Sequence, residues 1–311
     1  MLKKLNEVVK SATPRRRLSS GWEHFDTMLG TSTFNGVEES GFVIGGMYYF
    51  FGEPGVGKSR LTIQLMENLA NEGKTSLICQ GEADENAFAS WCANKPEKVQ
   101  NSIYLTDDMD FEELMKMITE LRPALVVIDS ANMVNGIEGI EDLKKKYKRW
   151  SNTVSDANSV CIMLGHLNQD GTLKGRTEVP HLVDVVGILT RPKLKRGPIT
   201  IKVKDSAGNN RTVTWEWPPI VHKTVFRVEI PTKNRFGQSG YRCDFAHNSH
   251  GVEYVTSDFE TDFRALGWLL PLETYAEHKF HQLIAEENRV GRTQSRQRPA
   301  RKKGFFEWFN S

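Results

Sequence analysis

The octapeptide Gly52-Glu-Pro-Gly-Val-Gly-Lys58-Ser59 limits what this chain can fold into more sharply than any other stretch. It follows Met47-Tyr-Tyr-Phe-Phe51, a short apolar run bounded by glycines that reads as a buried strand. Leu61, Leu65 and Leu69 follow it at helical spacing. A G-x-x-x-x-G-K-[ST] pattern between a strand and a helix is a phosphate loop: its glycines let backbone N–H groups close around an anion, and the helix dipole adds a favourable field. Nucleotide binding by Gly52, Glu53, Pro54, Gly55, Val56, Gly57, Lys58, Ser59 and Arg60 is therefore expected, with ATP and Mg²⁺ as ligands. Lys58 would reach the β- and γ-phosphates, and Ser59 would ligate the metal. The bland alternative is a glycine-rich turn.

Further strands are predicted at 76–79, 102–105, 124–128 and 160–165, alternating with helical patterns near 84–93, 110–121 and 141–157. Such alternation predicts an α/β fold with a mainly parallel sheet and right-handed crossovers. After Asp184 the character changes. Segments 185–189, 199–203, 212–217, 225–230 and 241–245 are β-rich and separated by turn residues, and they read as antiparallel hairpins extending the sheet. The organisation expected is a flexible lead at 1–19, a core at 20–256, a helical segment at 257–288 and a disordered basic tail at 289–311.

A phosphate loop needs a carboxylate at the end of a buried strand to orient Mg²⁺, and Ala124-Leu-Val-Val-Ile-Asp129 supplies one. Hydrolysis also needs a base. Glu82, after the strand at 76–79 whose carboxyl end is expected beside the phosphate loop, is the candidate, with Asp84 read as a helix cap. His166, ending the strand at 160–165, is placed to contact the γ-phosphate and pass its presence to the loop at 168–180; a structural histidine is the alternative.

The formal net charge is only +2, but seven cations and no acid lie between Arg289 and Lys303, so the remainder is mildly acidic. Cys79, Cys92, Cys161 and Cys243 are scattered, which argues against structural zinc or a disulfide framework and for a cytoplasmic setting. No apolar run is long enough to span a membrane, and the start lacks the pattern of a secretory signal.

One more stretch stands out: Lys233-Asn-Arg-Phe-Gly237, far downstream of the phosphate loop. Together with Ser20-Gly-Trp-Glu-His-Phe-Asp26, Leu29-Gly30, the phosphate loop, Gly81-Glu82, Val126-Val-Ile-Asp-Ser130, Gly165-His166, Gly175 and His181-Leu-Val-Asp184, it resembles the RecA-like ATPases, and within them the RadA/Sms branch-migration proteins. The resemblance covers roughly residues 15–255. It implies a RecA-like core, a hexameric ring hydrolysing ATP at subunit interfaces, and translocation on single-stranded or branched DNA during recombination, repair or replication. It also implies that Lys233 or Arg235 serves as a trans-acting cation at the neighbour's γ-phosphate. The pattern departs from the family in lacking its four-cysteine zinc module and protease-like domain, and in a spacer at 31–40 that enlarges the first loop. Two other readings stay open: a replicative or plasmid-type hexameric helicase, and a RecA-fold assembly or switch protein with little turnover.

DNA in such rings is gripped by loops after the strands ending at Asp129 and His166. Lys174 and Arg176 are candidates for phosphate contacts. Lys145 and Arg149 lie in Lys144-Lys-Lys-Tyr-Lys-Arg-Trp150, whose interleaved aromatics suit single strands; the alternative is a solvated helix face with Tyr147 and Trp150 in the core. The tail, a basic run ending in Phe305-Phe-Glu-Trp-Phe309, reads as a tethered peptide for a replication or recombination partner, or as packing on its own surface.

Overall fold

Consecutive residues of an apolar strand point to opposite faces of a sheet, so a run such as Met47–Phe51 needs cover on both sides. The structure, a computed structural model, provides it. It describes residues 4–5, 15–83, 85–168, 172–191, 199–204, 210–215, 225–247 and 251–255. In chain order, β1 (Arg17–Leu18) precedes α1 (Glu23–Leu29), the hairpin β2 (Thr31–Phe34) and β3 (Val37–Ser40), β4 (Phe42–Val43) and β5 (Met47–Gly52). Then come α2 (Lys58–Asn71), β6 (Ser76–Gln80), α3 (Glu85–Cys92), α4 (Glu97–Gln100), β7 (Ile103–Thr106) and α5 (Phe111–Leu121). The alternation continues through β8 (Leu125–Asp129), a 3₁₀ turn at Ala131–Met133, α6 (Gly139–Asp156), β9 (Val160–His166), α7 (Val179–Leu182) and β10 (Val185–Thr190). It closes with β11 (Ile199–Lys204), β12 (Asn210–Trp215), β13 (Val225–Asn234), β14 (Tyr241–His247) and β15 (Val252–Val255).

Nine strands form one sheet in the order β15-β14-β13-β10-β5-β9-β8-β6-β7. From β10 to β7 the pairs are parallel; β13, β14 and β15 extend the sheet antiparallel. Tyr48 and Phe50 face one way, into a core with Leu61, Leu65, Met66 and Leu69 of α2 and Phe25 of α1. Met47, Tyr49 and Phe51 face the other, into a core with Leu114 and Ile118 of α5 and Leu143, Tyr147 and Trp150 of α6. Helices on both faces of a parallel sheet are the arrangement that the strand–helix alternation predicts.

Three expectations are corrected. β10 is not part of an antiparallel hairpin alone; it runs parallel to β5, with Val185 opposite Tyr48 and Leu189 opposite Gly52, and only its far edge pairs antiparallel with β13. Residues 31–40 are not a plain spacer but the β2–β3 hairpin, turning at Asn35 (φ 50°) and Gly36 (φ 79°). Finally, β6 is not beside the phosphate-loop strand, since β9 and β8 intervene.

The chain divides into two compact units, Met1–Leu194 with Pro219–Phe259, and Lys195–Pro218 with Glu260–Ser311. In the second, β11 and β12 pair as an antiparallel hairpin. The helical segment at 257–288 and the basic tail at 289–311 lie outside the described residues, as does Asp84. Among the described residues, no helix is long and apolar enough to cross a membrane.

Candidate functional site

The phosphate loop leaves β5 at Gly52 and enters α2 at Lys58. Gly57 has φ 121°, and a Cβ there would stand 3.1 Å from the Phe226 ring, so no larger residue fits the bend. The Lys58 ammonium is buried and folds back over its own loop, donating to Gly52 O (2.9 Å) and Glu53 O (3.1 Å). Burial pushes it below the usual lysine range, opposed by the charges of Asp129 and Glu82. The Ser59 hydroxyl donates to Asp129 Oδ2 (2.8 Å) at the end of β8. Burial raises the Asp129 carboxyl, and the Ser59 hydrogen bond tempers the shift.

His166 ends β9 directly opposite Gly52, and its Nδ1 lies 3.3 Å from Lys58 Nζ. Its Nε2 lies 2.7 Å from Glu82 Oε1, close enough for an ion pair but not aligned as a hydrogen bond. Glu82 therefore crosses the carboxyl edge of the sheet despite the two strands between β6 and β5. Its side chain is 39% exposed, which leaves it open to water. Glu82, Asp129 and His166 each present a ligand atom within 4.8 Å of the others. The fit to Mg²⁺ rests on oxygen donors of the hard type, the Ser59 hydroxyl and the Asp129 carboxylate, beside a buried Gln80 Oε1 that has no hydrogen-bond partner. Gln80 pairs with Asp129 across β6 and β8.

Lys233-Asn-Arg-Phe-Gly237 closes β13 at the other end of the sheet. Lys233 and Asn234 lie opposite Val186 and Val185, which puts them level with the start of β5. Three of the five residues build the turn. Asn234 donates to Leu29 O (3.2 Å) and Gln238 O (3.1 Å) and accepts from Phe236 N (3.0 Å). Phe236 packs against Tyr48, and its carbonyl accepts from Arg17 Nη2 (2.9 Å). Gly237 lies so close to Gly30 that a Cβ would stand 3.0 Å from Gly30 Cα. The two cations differ. Lys233 Nζ donates to Pro180 O (2.8 Å) and His181 O (2.9 Å), and burial, then Arg235, lowers its pKa. Arg235 is 56% exposed and is held by one ion pair, Nη1 to Asp184 Oδ1 (3.0 Å).

Of the predicted DNA contacts, Lys174 is exposed. Arg176 is folded inward, donating through Nη2 to Val134 O (3.2 Å). Lys145 and Arg149 lie on α6, and Arg149 pairs with Glu112 (2.7 Å). Tyr147 and Trp150 are buried, so the interleaved aromatics belong to the core and cannot stack on bases. Sequence reading missed Arg191, which donates to Gly55 O (2.8 Å) at the tip of the phosphate loop. It gave no role to Asp184 beyond ending a family-like stretch; its Oδ2 accepts from Met47 N (3.0 Å) while Oδ1 holds Arg235. The β5–β10 pairing is what brings them to these places.

No family model matches the chain. DNA repair protein RadA from Mycolicibacterium smegmatis aligns at 28% identity over 173 residues, 52% of this chain and 36% of that protein. The protein of the same name from Mycobacterium tuberculosis aligns at 29% over 182 residues, 55% and 35%. That from Streptococcus pyogenes serotype M3 aligns at 27% over 166 residues, 51% and 36%. The chain thus spans about a third of the length of these curated relatives. Among solved structures, a KaiC-like protein from the archaeon Pyrococcus horikoshii matches with a TM-score of 0.53 at 17% identity, over 78% of this chain and all of that one. The fold is that of a RecA-like core, and the partial alignments to RadA agree with that class of sequence.

Proposed function

We propose that this chain is an ATP-driven DNA motor of RadA type, acting on single-stranded or branched DNA in recombination, repair or replication. The observation that carries the reading is the position of the cation turn. Lys233 and Asn234 stand level with Tyr49 and Tyr48, and Arg235 N donates to Asp184 O, whose own N–H donates to Met47 O. The phosphate loop starts at Gly52, five residues beyond Met47 along β5. At ~3.3 Å per residue those five residues span about 16 Å along the strand. Arg235 therefore lies out of reach of the phosphates held by its own chain, which supports the reading in which it serves a neighbouring copy's nucleotide and catalysis needs a ring.

In this reading the loop N–H groups and Lys58 hold the phosphates of ATP. Ser59 and Asp129 would hold Mg²⁺, which when bound would neutralise phosphate charge. Glu82 takes a proton from the attacking water as the bond between the γ-phosphorus and the ADP oxygen breaks. His166 lies between Glu82 and Lys58 and orients the base. Arg235 of the adjacent copy stabilises the charge on the transferring phosphoryl group. Lys174 contacts the DNA backbone.

The test is ATP hydrolysis with and without single-stranded DNA, for wild type and Glu82→Gln. DNA-stimulated turnover in the wild type, lost in Glu82→Gln while nucleotide still binds, is the expected result. Turnover indifferent to DNA would overturn the motor reading in favour of a switch or assembly protein. Forked against displacement-loop substrates separate a branch-migration motor from a replicative helicase.

A further inference from the structure

The backbone around Lys174 is held on both sides. Lys174 N donates to His166 O (2.9 Å), and Lys174 O accepts from Asn132 Nδ2 (2.7 Å). The same Asn132 side chain accepts the Arg176 N–H through Oδ1 (3.2 Å). One amide thus takes an acceptor and a donor two residues apart, as a strand neighbour would. Gly175 lies between them with φ 89°, and a Cβ there would stand 2.5 Å from Asn132 Cγ. A side chain at 175 would push the amide off both partners. The Arg176 guanidinium adds a second tie through Val134 O. Its Nη1 is buried without a partner, so the arginine is held by position more than by satisfied bonding.

Asn132 belongs to the 3₁₀ turn at Ala131–Met133, which starts two residues after Asp129. The next residue, Met133, stands with its Cβ 2.9 Å from where a Cβ on Gly81 would be, beside Glu82. The segment that clamps Lys174 is therefore continuous with the carboxylate that faces Ser59 and packed against the loop that carries Glu82.

We propose that Asn132 is a positioning residue that couples the Asp129 end of β8 to the Lys174 segment, so that nucleotide with metal on one side and DNA on the other each change the affinity for the other. The DNA half of this rests on the motor reading; the clamp and its response to nucleotide do not. A shift of Asp129 on metal binding moves the 3₁₀ turn, and the two amide bonds carry that movement to the peptide groups flanking Lys174. By linkage, DNA bound at Lys174 must favour the same arrangement of Asp129.

Asn132→Ala and Gly175→Ala, in the full chain, test this from opposite sides of the contact. Two quantities are read: amide hydrogen exchange over residues 172–178, with and without Mg²⁺ and a slowly hydrolysed ATP analogue, and ATPase with and without oligo(dT). In the wild type, nucleotide should change the exchange of this segment. In both variants the segment should exchange about tenfold faster and stop responding to nucleotide, and DNA stimulation should fall about tenfold, while analogue affinity and DNA-free hydrolysis stay within about twofold. The double variant should be no worse than either single one, because both break the same contact. Asn132→Asp, which keeps the acceptor for Arg176 N–H but loses the donor to Lys174 O, should fall between. Unchanged exchange and nucleotide response in Asn132→Ala, or full additivity in the double variant, would overturn the proposal. A wild type without DNA stimulation would sink the motor reading, and the exchange measurement would still decide the clamp.

Discussion

At the scale of single residues, the two cations of the Lys233–Gly237 turn have different work. Lys233 spends its donors on Pro180 and His181 carbonyls and so braces the turn, whereas Arg235 is exposed and held only by Asp184. An exposed ion pair contributes little stability and is readily exchanged for a stronger partner. Arg235 is therefore the residue expected to reach a neighbour's phosphate. Arg235→Ala should lower turnover about 10³-fold or more while nucleotide affinity stays near that of the wild type. Lys58→Ala should instead weaken nucleotide binding itself. Titration of a fluorescent ATP analogue beside steady-state hydrolysis separates the two effects. A wild-type rate in Arg235→Ala would refute its role.

At the scale of elements, α1 and the strand before it are a scaffold for that turn. Arg17 reaches Phe236 O, Gly41 O and Ser32 Oγ, and Asp26 fixes the start of α1 by accepting from Ser19 Oγ (2.6 Å) and Ser20 N (2.8 Å). Burial raises the Asp26 carboxyl, with the Ser19 and Ser20 hydrogen bonds opposing. A carboxyl raised in the folded state binds its proton more readily there than in the unfolded chain. Its contribution to stability is thus fully present below the unfolded value of about 3.8 and is lost as pH rises through the folded one. Urea unfolding should therefore show wild type gaining on Asp26→Asn between pH 7 and pH 4; a difference independent of pH would contradict this. On α6, Trp150 is fully buried and Arg149 is not, so Trp150→Ala should cost about 3–5 kcal/mol of stability, with Arg149→Ala close to neutral in the same denaturation measurement.

The same elements show what local sequence can and cannot say. The core strands and helices were legible because their periodicity is local: Leu61, Leu65 and Leu69 turn up on one buried face of α2 as spaced. Asn35-Gly36, between two short runs, carried a hairpin signal in plain view, and only its reading as a spacer was at fault. The direction of β10 was not legible, since a β-rich segment looks the same whether its neighbour runs with it or against it. The contacts of Asp184 and Arg191 escaped for that reason too, because each takes its place from the β5–β10 register. The phosphate loop, Asp129, Glu82 and His166 come together because strand ends along one edge converge, whatever the order of the strands between them.

At the scale of the whole molecule, one chain holds a phosphate loop at one end of β5 and a loose arginine at the other. No rearrangement within the sheet brings them together, since β5 and β10 are fixed in register from Val185 to Leu189. The proposed head-to-tail ring would solve this, because every copy would then offer its turn to the next one's phosphate loop. Mixing two inactive variants addresses that claim most directly. Lys58→Ala keeps the turn and Arg235→Ala keeps the phosphate loop, so in randomly mixed rings about one interface in four pairs an intact loop with an intact arginine. ATPase activity in an equimolar mixture should rise well above that of either variant, toward about a quarter of the wild-type rate. A mixture no more active than its two components would show that the arginine does not act on the neighbouring subunit.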